Sequence, residues 1–206
     1  MADALADLQG LDSRSRNAVL AAIAAVEAAD APVDASRFDA LRDPGIRAHV
    51  SSVLAACGRT LIEGNGGWLS AYEDDVADAL LEEGIGLLSE KDRAVLALVL
   101  LYTVAIPRAR GRIDGTDWTQ AEPTTVEQLQ KHRYLTRRDI LLSLRNLRSR
   151  GILRPGLRGA IAPGPQFLRL SAARTRRIWD ELVIVAQPDS TLAQVIRRRH
   201  SEENAA

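Results

Sequence analysis

The chain has 206 residues, 46% of them hydrophobic, 26% charged and only 4% aromatic, a composition that excludes an intrinsically disordered chain and favours a helix-rich fold with an aliphatic core. Its single cysteine, Cys57, excludes an intramolecular disulfide and is typical of a cytoplasmic protein. The formal net charge of zero hides a separation: residues 1–103 have 8 basic and 17 acidic side chains, a net −9, and residues 104–206 have 19 and 10, a net +9.

Residues 1–88 are predicted to form an acidic helical domain. Apolar residues at helical spacing predict a helix from about Ser13, a short helix near 36–42 and a longer one over 46–63. The Gly-rich stretch 63–68 predicts a turn, and it lacks the Gly-Lys-Ser/Thr ending of a phosphate loop. Ser70, with Glu73 three residues later, predicts the cap of a further helix. The acidic residues of that helix indicate a solvated face or a contact for a basic partner rather than a metal site.

Residues 94–106 form the longest nearly apolar run in the chain. As a helix it rises about 20 Å, short of the roughly 30 Å hydrocarbon core of a membrane, so we expect a buried helix and no membrane partner. Ser89 and Asp92 predict its N-terminal cap. This helix opens a predicted second domain, residues 89–186, with a loop over 107–123. Residues 187–206 are predicted to be a flexible basic tail.

Two helices and a hairpin are predicted next. Thr124 and Glu127 predict the cap of a helix that runs to about 132, and Thr136 and Asp139 predict the cap of a second helix that ends at Gly151. The second helix has four apolar residues at helical spacing, Ile140, Leu141, Leu144 and Leu147. Extended pieces at 152–154 and 167–170 bracket a loop rich in Gly and Pro, which indicates a hairpin. A last helix is expected from Ser171 to about 186.

This order, with the "Leu-x-x-x-Gly-Ile-Leu" ending from Leu147 to Leu153, resembles the winged helix-turn-helix family over about 124–171. The apolar helix 89–106 takes the place of the family's first helix. The fold class is therefore expected to be mainly α, with a helical N-terminal half followed by a winged helix-turn-helix that includes a small β-hairpin. The resemblance implies that the second helix enters the DNA major groove and that the hairpin lies over the adjacent backbone.

The resemblance also implies a set of nucleic-acid contacts. Arg137 and Arg138 would reach guanine edges at the start of the helix, and Asn146 has the groups that adenine requires. The full expected set is Lys131, Arg133, Arg137, Arg138, Arg145, Asn146, Arg148, Arg154, Arg158 and Arg169. Residues 124–177 have 13 basic and 2 acidic side chains. Since 25 of the 27 basic residues are arginines, a GC-rich genome would raise the arginine content of any solvated face, and solvation or protein contact stays open.

No Ser/His/Asp order, Cys/His pair or metal-ligand spacing occurs in the sequence, so neither catalysis nor a cofactor is expected. The leading hypothesis is a DNA-binding transcriptional regulator whose acidic half forms a homodimer or docks a protein partner. The alternative is a non-catalytic subunit of a DNA-associated complex, because the size and two-part layout resemble the kleisin-associated winged-helix subunits of bacterial condensin-like complexes. The acidic half could also neutralise the basic half, within one molecule or between subunits.

Overall fold

The computed structural model describes residues 8–64, 66–132 and 134–203. The fold is mainly helical with two small antiparallel hairpins in the described residues, which confirms the expected fold class. The elements are α1 (Ser13–Ala28), α2 (Asp39–Arg42), α3 (Pro44–Ala55), β1 (Arg59–Gly64), β2 (Gly67–Tyr72), α4 (Asp74–Glu82), α5 (Glu90–Leu100), α6 (Ile106–Ala109), α7 (Val126–Leu129), α8 (Arg137–Ser149), β3 (Leu153–Pro155), β4 (Ile161–Pro163), α9 (Ala172–Ala186) and α10 (Thr191–Glu203). No helix in these ranges is both long and apolar enough to cross a membrane.

The chain divides into two compact units. The first comprises Met1–Leu87 together with Leu168–Ser171, and the second comprises Leu88–Phe167 together with Ala172–Ala206. Each unit has its own apolar core.

The first unit has the element order of a winged helix. After α1, Val33 forms an antiparallel bridge to Trp68 of β2, with N–O distances of 2.8 and 2.9 Å. Helices α2 and α3 follow, and the β1–β2 hairpin closes the unit. Most of the buried core residues come from α1, α2 and α3, and Leu8 precedes α1: Leu8, Val19, Ala22, Val26, Ala40, Leu41, Val50 and Leu54. The N-terminal half therefore contains a β-hairpin after its helices, which the sequence did not predict.

The predicted helix over 46–63 is wrong beyond Ala55. Gly58 has a φ of +67°, which favours glycine and ends the helix, and β1 begins at the next residue. Ser70 was predicted to cap a helix but lies inside β2. Its hydroxyl instead accepts a hydrogen bond from Arg59 Nε at 2.8 Å and donates one to Glu27.

The second unit repeats this order. After α5, Thr124 forms an antiparallel bridge to Ile161 of β4, with N–O distances of 2.9 and 2.7 Å. Helices α7 and α8 follow, and the β3–β4 hairpin forms the wing. The buried core residues are Val95, Val99, Leu129, Ile140, Leu144, Leu147, Leu153 and Ile161. The predicted order of two helices followed by a small β-hairpin is confirmed here.

Three helix ends in the second unit match the sequence predictions. The Ser89 hydroxyl accepts the Asp92 amide at 3.2 Å, and the Thr136 hydroxyl accepts the Asp139 amide at 3.1 Å. Gly151 ends α8 with a φ of +67°, as a C-terminal capping glycine should. Local sequence determines these ends because a helix terminus is satisfied within a few residues of itself.

Other local predictions in this unit are wrong by a few residues. Thr125, not Thr124, caps α7 in a capping box with Gln128, because the Thr124 backbone pairs with β4. The second strand of the wing is Ile161–Pro163, whereas 167–170 lies at the end of a 3-10 helix, Pro165–Arg169, and just beyond it.

The apolar run 94–106 is helical but irregular. A π-helical turn, Leu101–Ala105, joins α5 to α6. Pro107 has no N–H with which to continue the α-helical pattern. The carbonyl of Thr103, four residues earlier, instead accepts the amide of Glu122 from the following loop at 2.9 Å.

Residues 187–203 are mostly helical rather than a flexible tail. Ala193 and Ile196 of α10 are buried against Val183 of α9. Asp180 of α9, 1% exposed, pairs with Arg108 at 3.3 Å and with Arg199 of α10. A buried carboxylate of this kind needs cationic partners, so Arg199 has a structural role.

Arg169 was predicted to contact DNA from the wing, and this placement is wrong. Its segment belongs to the first unit, where the guanidinium donates hydrogen bonds to four backbone carbonyls. The acceptors are Val26 at 3.1 Å, Glu27 at 2.9 Å, Ala29 at 2.6 Å and Ser70 at 2.6 Å. The first three lie at the C-terminal end of α1, where carbonyls have no helical partner and the helix dipole is negative. The last turn of α1 contains no basic residue of its own.

Replacing Arg169 by Ala should destabilise the protein by about 2–4 kcal/mol, because four carbonyls lose a charged donor. Urea denaturation followed by circular dichroism measures the change in the free energy of unfolding. Arg176→Ala, at an exposed position of α9, is the matched control and should change it by less than about 0.5 kcal/mol. Equal effects of the two substitutions would show that Arg169 does not stabilise the first unit.

Candidate nucleic-acid interface

The orientation of α8 decides which side chains the second unit presents. Ile140, Leu144 and Leu147 are buried with Val95 and Val99 of α5. These three residues form one stripe along a helix of 3.6 residues per turn. The stripe fixes the rotation of α8 about its own axis, and the residues on the opposite side face outward.

A polar contact supports the same orientation. Asp92 of α5 is 5% exposed, and the side chains of Ser143 and Asn146 of α8 and of Ser89 favour its charged form by hydrogen bonding. Burial raises the pKa of this carboxyl, but the three hydrogen bonds and the charge of Arg150 together outweigh burial and lower it below the usual value. The carboxylate is therefore charged at neutral pH and anchors α8 to α5.

The outward side of α8 combines arginines with leucines. Arg138, Arg145 and Arg148 are exposed, and their guanidinium groups form no hydrogen bond or ion pair with the residues that the structure describes. Leu142, which is 54% exposed, lies between Arg138 and Arg145 on the helix surface, and Leu141, 47% exposed, lies beside it. We call these five residues the recognition face.

Leu141 was predicted to be in the core, and that prediction is wrong. At about 100° per residue, Leu141 lies well away from the centre of the stripe formed by Ile140, Leu144 and Leu147. Leu142 lies almost opposite the stripe. Angular position along the helix was the sequence signal that could have placed both leucines outside.

The wing contributes two exposed arginine side chains. Arg154 on β3 and Arg158 in the turn are exposed, and neither is paired within the described ranges. Arg158 has a φ of +56°, in the left-handed region, inside the turn that joins the strands. Leu157 beside it is also exposed.

Two glycines join α8 to the wing. The Gly164 amide donates to the Ile152 carbonyl at 2.7 Å. A Cβ on Gly164 would lie 2.3 Å from the Gly151 carbonyl oxygen, so only glycine allows this approach. The close contact holds the wing against the C-terminal end of α8.

The turn before α8 includes the remaining predicted residues. Lys131 is exposed, and Arg137 donates to the Gln130 side chain at 2.9 Å. The Tyr102 hydroxyl and His132 Nε2 are 3.0 Å apart, which ties the turn to the helical segment after α5. Arg133 lies outside the described residues.

The structure thus places seven predicted residues on the exposed surface of the second unit: Lys131, Arg137, Arg138, Arg145, Arg148, Arg154 and Arg158. Asn146 is half-buried and its side chain interacts with Asp92, and the adenine contact predicted for it stays a prediction. Arg169 belongs to the first unit. No group of three or more His, Cys, Asp or Glu that could hold a metal occurs among the described side chains.

The corresponding surface of the first unit is different. Helix α3, which takes the place of α8 in that unit, exposes Ala48, Ser51 and Ala55. Its one arginine, Arg47, is half-buried, donates to the Leu41 carbonyl at 2.8 Å and lies over the Trp68 ring at 4.7 Å. Among the described residues, α8 presents arginines without a hydrogen-bond or ion-pair partner and α3 does not.

No protein-family model matches the chain, and no curated protein matches it significantly. Among solved structures, a crystal structure of ScpB from Mycobacterium tuberculosis is similar, with 21% sequence identity over 77% of this chain and 95% of that chain and a TM-score of 0.26. At that TM-score the likeness supports no argument about this chain.

Replacing Asp92 by Asn should lower the free energy of unfolding at pH 7 by about 1–3 kcal/mol, because the charged acceptor of the Ser143 and Asn146 hydrogen bonds is lost. The folded pKa of Asp92 lies below its usual value, so the carboxylate stabilises the fold above about pH 4, the usual pKa of Asp. This stabilisation is lost as the pH falls through the lowered folded pKa. The difference between wild type and Asp92→Asn should therefore shrink towards pH 3.

Urea denaturation at a series of pH values from about 7 to 3 measures this difference. Asp114→Asn removes an exposed carboxylate from the same unit and should have little effect at any pH. If the loss of unfolding free energy in Asp92→Asn stays constant as the pH falls, a role for the Asp92 charge is contradicted.

Proposed function

We propose that this protein is a non-catalytic subunit of a DNA-associated protein complex, and that its second winged helix binds the DNA backbone without selecting a sequence. The observation that supports this most is the composition of the recognition face. Arg138, Arg145 and Arg148 surround two exposed leucines, and arginines bind phosphate without regard to sequence.

Apart from the arginines, groups that read bases are scarce on this surface. Selection of a DNA site needs polar side chains aimed at base edges, commonly an arginine fork on guanine or an Asn or Gln on adenine. Asn146 is half-buried and interacts with Asp92, and Arg137 donates to Gln130. Leu142 occupies the centre of the outward side. Contact with phosphate is therefore better supported than reading of a sequence.

The difference between the two winged helices supports a division of roles. The negative phosphates of DNA attract the basic second unit and repel the acidic first unit. Phosphate contacts supply most of the affinity that does not depend on sequence. The first unit, with no free arginine on α3, is suited to a protein partner within the complex. The kleisin-associated subunits that the layout resembles have this kind of non-enzymatic role.

A transcriptional regulator is the second candidate. Arg138 lies near the N-terminal end of α8, where base edges are normally reached, and is exposed without a partner in the described part of the chain. A regulator should bind its site about 10³-fold or more tightly than random DNA. The two candidates therefore differ in a measurable ratio.

Selection from random duplexes, followed by binding at several salt concentrations, tests the proposal. We expect selected and random DNA to bind within about 10-fold of each other, with a steep fall in affinity from about 50 to 200 mM salt. Replacing Arg145 and Arg148 by Ala should weaken binding equally on all sequences. Each phosphate contact that is lost should reduce the slope of log K against log salt by about 0.9.

Arg37→Ala is the matched control, because it removes an exposed arginine from the first unit, and it should leave binding unchanged. A selected motif bound about 10³-fold more tightly than random DNA would favour the regulator instead. Absence of binding at about 50 mM salt would exclude a DNA role for this surface.

A further inference from the structure

The first unit ends in a rigid apolar corner. Helix α4 ends at Glu82, and Gly84, two residues later, has a φ of +74°. The Gly84 amide donates to the Leu81 carbonyl at 3.0 Å, and the Ile85 amide donates to the Leu80 carbonyl at 2.8 Å. This pair of bonds is the Schellman arrangement, which fixes the backbone beyond a helix end. The side chains that follow are therefore held in place.

This corner exposes apolar and acidic groups together. Leu81 and Ile85 are 50% and 58% exposed, and Leu87 is exposed as well. Glu82 and Glu83 beside them are exposed and form no ion pair within the described part of the chain. We call residues 81–87 the acidic corner. Neighbouring exposed apolar side chains with a polar rim indicate a protein contact.

The acidic corner and the recognition face are complementary in two respects. Each has exposed large apolar side chains, Leu81 and Ile85 on one and Leu141 and Leu142 on the other. Exposed glutamates neighbour the first pair and exposed arginines the second, and within the described residues none of these glutamates, nor Arg138, Arg145 or Arg148, has an ion-pair partner. The leucines would lose water on contact, and the opposite charges would steer the approach.

We propose that the acidic corner of one copy docks on the recognition face of a second copy. Residues 1–103 and 104–206 have net charges of −9 and +9. The basic half of a second copy therefore has a net charge opposite in sign and equal in magnitude to that of the acidic half. DNA would account for the arginines of the recognition face, and the exposed apolar and acidic side chains of residues 81–87 would then need a separate protein partner. A second copy accounts for both surfaces.

The contact is heterologous, because it joins two different surfaces. It therefore produces short head-to-tail chains or a closed ring rather than a two-fold dimer. Association should weaken as salt rises from about 50 to 500 mM, since screening shortens the reach of the charges. It needs no DNA, so it does not depend on the proposed DNA-binding function.

Sedimentation velocity of the full chain, without DNA, tests the proposal with two charge-reversed variants. One variant reverses the recognition face, Arg138→Glu with Arg145→Glu, and the other reverses the acidic corner, Glu82→Lys with Glu83→Lys. Wild type should grow in average mass with concentration at low salt. Each variant alone should associate at least about 10-fold more weakly, because like charges then meet.

An equimolar mixture of the two variants should regain association, because each reversed surface then meets a surface of opposite charge. Arg110→Glu with Arg198→Glu, at two exposed positions elsewhere in the second unit, is the matched control and should behave as wild type. All of these side chains are exposed, and circular dichroism confirms that each variant is folded.

A second pair of variants tests the apolar part without changing charge. Leu141→Ser with Leu142→Ser, and Leu81→Ser with Ile85→Ser, should each weaken association, and mixing them should not restore it. The proposal is overturned if wild type stays monomeric at low salt, if either charge-reversed variant associates as wild type does, or if their mixture stays monomeric.

Discussion

The anchoring of α8 to α5 is the constraint on which the exposed surface of the second unit depends. Ile140, Leu144 and Leu147 bury one side of the helix, and the charged Asp92 interacts with the side chains of Ser143 and Asn146 beside that stripe. A buried carboxylate tolerates few positions of its donors, because an unpaired charge in the interior is costly. The helix can therefore present only one side outward, and that side has arginines and leucines together. Both proposed uses of the surface follow from this orientation.

The two units share an order of helices followed by a β-hairpin, and they differ in the side chains that the helix before the hairpin exposes. In each unit a single residue pairs with the second strand of the hairpin, Val33 in the first and Thr124 in the second. The folds thus share a pattern, but α3 exposes small residues and α8 exposes arginines and leucines. Fold alone therefore assigns no function to either unit, and the side chains on one helix surface distinguish them.

Arg169 illustrates how an arginine excess can mislead. By composition it belongs with the basic residues of 124–177, and in the structure it satisfies the end of α1, a helix more than a hundred positions earlier. Burial lowers its pKa, with the charge of Arg59 acting in the same direction, while Glu27 and Asp30 oppose the shift. A guanidinium suits this position because it has five donors in one plane and stays charged when partly buried. Its role is to stabilise the first unit.

The sequence by itself determined the helical class, the separation of charge and the local features of the second unit. The Thr136 cap, the Gly151 helix end and the stripe of α8 depend on residues within one or two turns of each other, so spacing is sufficient to predict them. Tertiary structure alone decided the β1–β2 hairpin, the position of β4, the role of Arg169 and the engagement of Asn146. Each depends on a partner far away in the chain: Val33 for β2, Thr124 for β4, Val26 for Arg169 and Asp92 for Asn146. Local propensity does not encode such pairings, because the free energy that selects them comes from backbone and side-chain groups that meet only once the chain has folded.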